Sequence, residues 1–192
     1  MNPQRIAIKL HTDRDLGLHE LPPFIGVFHR FIQEGAVPGL LIDVADYAHV
    51  PDGPGVILIG HDVDYGIDRV GGRSGLLTLR KRAGDRDTAA LFRDTLAMAL
   101  ATARAIEGDA SVSVRFAFAE VQIAFPDRLA APNTAESAEL MKKELEPTLR
   151  ALFGDGAVVE HESASDPRRM LTLRLGGGVA DLDGLLAGLE EA

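Results

Sequence analysis

Residues 40–80 read LLIDVADYAHVPDGPGVILIGHDVDYGIDRVGGRSGLLTLR, and the way this segment folds decides the architecture. Two apolar runs flank Asp52-Gly53, a dipeptide suited to the positive φ angles of a tight hairpin turn. Pro51 and Pro54 bracket the turn and remove ladder donors, so pairing is expected to begin outside them. The implied register sets Val50 against Gly55, Tyr47 against Leu58, Val44 against His61 and Asp43 against Asp62. Alternation then assigns Ile42, Val44, Asp46, Ala48, Ile57, Ile59, His61 and Val63 to a core face. The other face carries Asp43, Ala45, Tyr47, His49, Val56, Leu58, Gly60, Asp62 and Asp64.

Two candidate sites follow from that register. Asp46 and His61 are diagonal neighbours on the core face, so the carboxylate can orient the imidazole for acid–base chemistry. They are the candidate catalytic pair, and a buried pair that only satisfies two polar groups is the structural alternative. Asp43 and Asp62 face each other with Asp64 nearby, and opposed like charges need neutralising. A divalent metal held by Asp43, Asp62, Asp64 and His49 would do this, with Tyr47 or Tyr65 as a polar partner. So would Arg80, Lys81 or Arg82 at the end of the next strand.

Outward from this segment, Arg5 to His11 alternates as a half-buried strand. Pro22-Pro23 opens a helix with Phe24, Phe28, Phe31 and Ile32 on one side, and Gly35 ends it. GGRSG (71–75) joins two strands, and Leu76 to Arg80 is the third strand of a meander. Asp85 to Glu107 is a long helix capped by Asp87. From Val112 to Phe125 the apolar parity switches, which predicts a bulge near Ala119-Glu120. Asn133 and Glu136 have capping-box spacing for a helix that runs to Phe153, and Pro147 is expected to kink or divide it. Ala157–His161 and Met170–Leu175 read as strands, Gly176-Gly177-Gly178 as a flexible joint, and Asp181–Leu189 as a closing helix.

The expected class is α+β: antiparallel sheet covered by helices, in halves 1–108 (with hairpin 40–65) and 109–192. The halves nearly repeat a strand–helix–strands–helix order, so their sheets either merge or pack as two lobes. There is no cysteine, which excludes disulfides and thiolate chemistry. The net charge of −9 opposes nucleic-acid binding. The N-terminal residues lack the apolar core of a signal peptide and no run is long enough to span a membrane, so a cytoplasmic location is expected.

LLIDVADYAHVPDGPGVILIGHDVDYGID, GLLTLRKR and DRLAAPNT together resemble a bacterial family of uncharacterised proteins, most specifically through the ADY-x-HVP-x-GPG-x4-GH pattern at Ala45 to His61. The resemblance implies a bacterial protein and carries no activity, cofactor or site residue. No P-loop, dinucleotide fingerprint, zinc-protease helix or nucleophile elbow is present. The leading functional expectation is therefore a module that binds a small ligand or another protein, with homodimerisation through a sheet edge or the hairpin face. The alternative is a metal-dependent hydrolase or acid–base enzyme built on the Asp and His residues of the hairpin.

Overall fold

The computed structural model describes residues 1–50, 52–177 and 181–191, without the side chains of 190 and 191. Pro51 and Gly178, read above as a turn bracket and part of a glycine joint, lie outside the described residues. The strands are β1 (Ile6–Thr12), β2 (Leu41–Tyr47), β3 (Gly55–Gly60), β4 (Val63–Asp68), β5 (Gly75–Arg80), β6 (Phe116–Phe125), β7 (Val158–Glu162) and β8 (Leu171–Gly176). They form one eight-stranded sheet in the order β2-β3-β4-β5-β1-β6-β8-β7. Every pairing is antiparallel, and the two halves of the chain join where β1 pairs with β6. The helices are α1 (Pro23–Glu34), α2 (Thr88–Glu107), α3 (Ala135–Phe153) and α4 (Leu182–Glu191). The expected class, α+β with an antiparallel sheet covered by helices, is the one observed. Among the described residues no helix is long and apolar enough to cross a membrane.

Register shows which side chains share a face. Ile8 of β1 is level with Thr78 and Ile123, Leu10 with Leu76 and Val121, and Ile123 in turn with Leu173. These side chains are buried under the helices, which supply Phe24, Phe28 and Phe31 from α1, Leu91, Leu96 and Leu100 from α2, and Met141 and Leu145 from α3. α1 packs on β2 and β3, α2 on β1 and β5, and α3 on β7 and β8. α4 rests on α2 and α3. The helix signals hold at Gly35, which ends α1 at φ 62°, and at Asp87, whose side chain accepts from the Ala90 amide at 2.8 Å. The cap of α3 is a correction: Thr134, not Asn133, accepts from the Ser137 amide. Asn133 is instead buried and donates to the carbonyls of Ser163 and Asp166, holding the β7–β8 turn. Pro147 lies within α3 without dividing it.

The hairpin register differs from the expected one. Tyr47 pairs with Gly55, Asp46 with Val56 and Val44 with Leu58, three positions from the alignment set by a tight turn at Asp52-Gly53. The connection is wider because the Val50 amide donates to Tyr47 and the Gly53 amide to Val50. The Asp46 carboxylate receives the Ala48 amide. The glycine that sets the register is Gly55: at φ +65°, a Cβ there would lie 1.9 Å from the Ile67 carbonyl oxygen. An odd slip exchanges the faces of β3, so Val56 and Leu58 are buried with Tyr65 and Ile67, while Ile57 and Ile59 face away from the helices. The second arm is also not one strand. The chain turns at Gly60–Asp62, where a Cβ on Gly60 would meet the Val63 carbonyl at 2.3 Å, and the meander has four strands.

Candidate functional site

The new register disperses the residues expected to form a site. Asp46 and His61 lie toward opposite ends of β3, roughly 16 Å apart at the ordinary rise of a strand. His61 stands exposed in the β3–β4 turn beside Asp62, with Nε2 3.8 Å from its carboxylate. Asp43 pairs with Ile59 rather than Asp62, and its carboxylate turns back to the Val44 amide. Asp62 lies 3.8 Å from Arg82, and Asp64 is held by Lys81 at 2.8 Å and by the Gly60 amide. His49 is exposed in the β2–β3 connection. Tyr47 is exposed on β2, while Tyr65 is buried and donates to the Pro38 carbonyl. Lys81 and Arg82, just past β5, thus lie beside Asp64 and Asp62, while Asp43 and Asp46 accept backbone amides. Among the described residues no group of three or more His, Asp or Glu side chains could hold a metal ion.

A different cluster occupies the face of the sheet opposite the helices. On β1, Lys9 and His11 point to this face, and both are buried, at 3% and 5% exposure. The half-buried strand expected from alternation is buried throughout, because the β4–β5 loop folds over its polar side. Lys9 Nζ reaches the Val70 and Arg73 carbonyls at 3.1 and 2.7 Å and the Asp68 carboxylate at 2.7 Å. The Asp68 contact is an ion pair short of good hydrogen-bond alignment. Thr12 and Ser74 share a hydroxyl contact at 2.5 Å, and Ser74 also accepts from the Leu16 amide, so the loop is fastened from two sides.

The bulge expected near Ala119-Glu120 is present: Leu10 pairs with Val121 but Thr12 with Phe116, so two steps of β1 span five of β6. It brings Glu120 beside His11, with 3.6 Å between a carboxylate oxygen and Nε2, and Glu120 also binds Arg73 of the loop. Burial, then the charges of Arg73 and Lys9, lower the pKa of His11 against the opposing pull of Glu120, so the ring is neutral near pH 7. Burial would raise the Glu120 carboxyl, but the hydrogen bond and charge of Arg73 hold it below its usual value. His11 Nδ1 is buried without a hydrogen-bond partner of good geometry, although the Ser74 backbone is near enough to favour protonation.

His11 and Arg73 open onto a trough of about 460 Å³ that crosses β1, β6, β8 and β7. Gln122, Arg174, Glu160 and Glu162 line its farther part, and Ser163 and Arg169 lie at its end. A neighbouring depression of about 300 Å³, lined by Glu120, shares Glu160 and Arg174 with the trough. Another hollow of about 300 Å³, between α3 and the start of β7, is lined by surface side chains such as Lys142, Glu146 and Arg150. It contains no buried polar side chain, so the trough is the better candidate site. Chemically it joins a neutral imidazole, able to accept or pass a proton, to guanidinium groups whose N–H forks match oxyanions.

The sequence reading missed these residues because they converge from β1, the β4–β5 loop, β6, β7 and β8. Only the lysine in an otherwise apolar alternation, Ile6-Ala7-Ile8-Lys9-Leu10-His11, pointed to the place. No family model matches this chain, and neither a curated protein nor a solved structure is significantly similar to it. Fold and site define it as an α+β protein with a polar trough on the open side of one antiparallel sheet.

Proposed function

We propose that this protein is a small-ligand-binding module and that its ligand lies in the trough on the helix-free face. The observation that carries the reading is the convergence of His11, a buried imidazole, with Arg73 on one cavity wall, the ring lying 3.6 Å from Glu120. The volume lies within the usual range for small-molecule sites. A screen of small polar fragments, with binding followed by backbone amide NMR, tests the reading. Hits should move the amides of His11, Arg73, Gln122 and Glu162 together; hits that map elsewhere, or none at all, would sink it.

A second reading, a module that pairs with another copy of itself, is supported by the free edge of the sheet at β2. There Leu40 and Ile42 are 69% and 57% exposed at a strand whose outer edge pairs with no other strand among the described residues. Sedimentation of the purified protein tests this: a dimer that Ile42→Lys dissociates supports edge pairing, and a monomer at high concentration rejects it.

A further inference from the structure

The trough is chemically uneven along its length. At the far wall Arg174 binds Glu160 and lies 3.7 Å from Glu162, and Gln122 donates to Glu162, so those charges largely satisfy one another. The carboxylates there keep free lone pairs and present acceptors to the cavity. At the near end the charged and titratable groups facing His11 are Arg73 from the loop, Lys9 from β1 and Glu120 from β6. The two cations outweigh the carboxylate in their effect on the ring. Arg73 is half exposed and uses part of its five-donor fork on Glu120, leaving N–H groups for another acceptor. Lys9 is fully used by Asp68 and two carbonyls, so it contributes field rather than contact.

Resting on the small-ligand reading above, we propose that the trough takes a small organic oxyanion, a carboxylate or phosphate ester bearing hydroxyl or amino groups. Arg73 receives the oxyanion beside His11, and Glu160 and Glu162 accept from the donors along the ligand's body. A neutral His11 can donate one hydrogen bond to the oxyanion, and a protonated one adds a charge. Bound anion therefore raises the pKa of His11, and by reciprocity the complex tightens as pH falls through the titration of the ring. A purely structural imidazole would show neither effect.

The test is a titration of the full-length protein followed through its imidazole 1H–15N signals, with gluconate, glucose 6-phosphate, glucose and inorganic phosphate as probes. Gluconate or glucose 6-phosphate is expected to shift the His11 ring saturably and to raise its titration midpoint by about 0.5 pH or more. Arg73→Gln, at a half-exposed side chain, should leave the fold intact and weaken that binding about tenfold or more. Glucose binding as tightly as glucose 6-phosphate would overturn the oxyanion while leaving the cavity reading in place. Inorganic phosphate binding as tightly would overturn the organic body of the ligand. Wild-type affinity in Arg73→Gln would overturn the assigned contact. If none of the four probes moves the ring while polar fragments still map to the trough, the ligand class is wrong; if fragments fail there as well, the site itself is.

Discussion

Replacing Lys9 by methionine tests whether the ion pair under the β4–β5 loop holds the open face together. The substitution keeps the length of the side chain and removes the ammonium, leaving Asp68 buried at 2% exposure without its cation. Breaking a buried pair by deleting one partner costs about 3–5 kcal/mol, because the remaining charge is uncompensated. The Val70 and Arg73 carbonyls lose a donor as well. The pH dependence has a definite sign. Burial already raises the Asp68 carboxyl above its ordinary 3.8 against the pull of Lys9, and without Lys9 it rises further. Between 3.8 and that raised value the folded state binds more protons than the unfolded one, so stability falls as pH increases. Lys9→Met should therefore be closest to wild type near pH 4 and lose ground toward pH 7. Urea denaturation at both pH values reads this directly, and trypsin should cut the variant faster after Arg69 and Arg73 as the loop is released. Lys9→Met combined with Asp68→Leu should recover much of the loss at neutral pH. A deficit below about 1 kcal/mol at pH 7, or one that grows on acidification, would refute the reasoning.

Gly55→Ala should destabilise by more than about 2 kcal/mol in thermal or urea melts, since a methyl group would collide with the Ile67 carbonyl at a positive φ. Gly53→Ala, whose nearest neighbours are Val50 atoms of the same loop, should cost less, and the reverse ranking would contradict the observed register. Asn133→Ala should exceed Thr134→Ala in cost, because Thr134→Ala removes a helix cap worth about 1 kcal/mol. Asn133 instead joins three partners: the Ser163 and Asp166 carbonyls and, at 2.7 Å, the ring of His161. The Arg30 guanidinium, with Ser111, holds the Asp109 carboxyl at about 2, so this contact adds stability above pH 4 that disappears as pH falls through about 2. Carboxyl-carbon NMR should show the Asp109 midpoint returning toward 3.8 in Arg30→Gln.

What the sequence discloses here depends on the range of the interaction. Helix limits were legible because Pro23, Gly35 and Asp87 act within one turn of the backbone they terminate. The bulge in β6 was legible because a change of apolar parity, Phe118 against Val121, is written in the order of residues. The register of β2 with β3 was not. Asp52-Gly53 has the chemistry of a tight turn, and Asp52 does adopt φ 51°, yet the pairing is settled by how closely Gly55 approaches β4. That contact belongs to a third strand, so no property of the hairpin alone contains it. In the same way Asn133 has the spacing of a cap but is drawn off by carbonyls about thirty residues away.

The same argument explains why the carboxylates that stand out in the sequence are not the ones gathered on the trough. Asp43, Asp46, Asp62 and Asp64 draw attention because they interrupt apolar runs, but they lie on the edge strand β2, in the β3–β4 turn or at the start of β4, where a backbone amide or a nearby cation satisfies them. A binding group must be held where its partners are incomplete, and that requires burial by elements from several parts of the chain. His11 meets this condition only because β6 pairs beside β1 and the β4–β5 loop, fastened by Lys9, closes over the strand. Sheet order, β5-β1-β6-β8, is thus the step that makes a site from residues unremarked in their local sequence. It also explains why Arg73, in a glycine-rich loop with no helix behind it, contributes a side chain rather than a phosphate-cradling backbone. The glycines let the loop bend back across β1, Lys9 fastens it there, and the guanidinium is left facing Glu120 and the open trough.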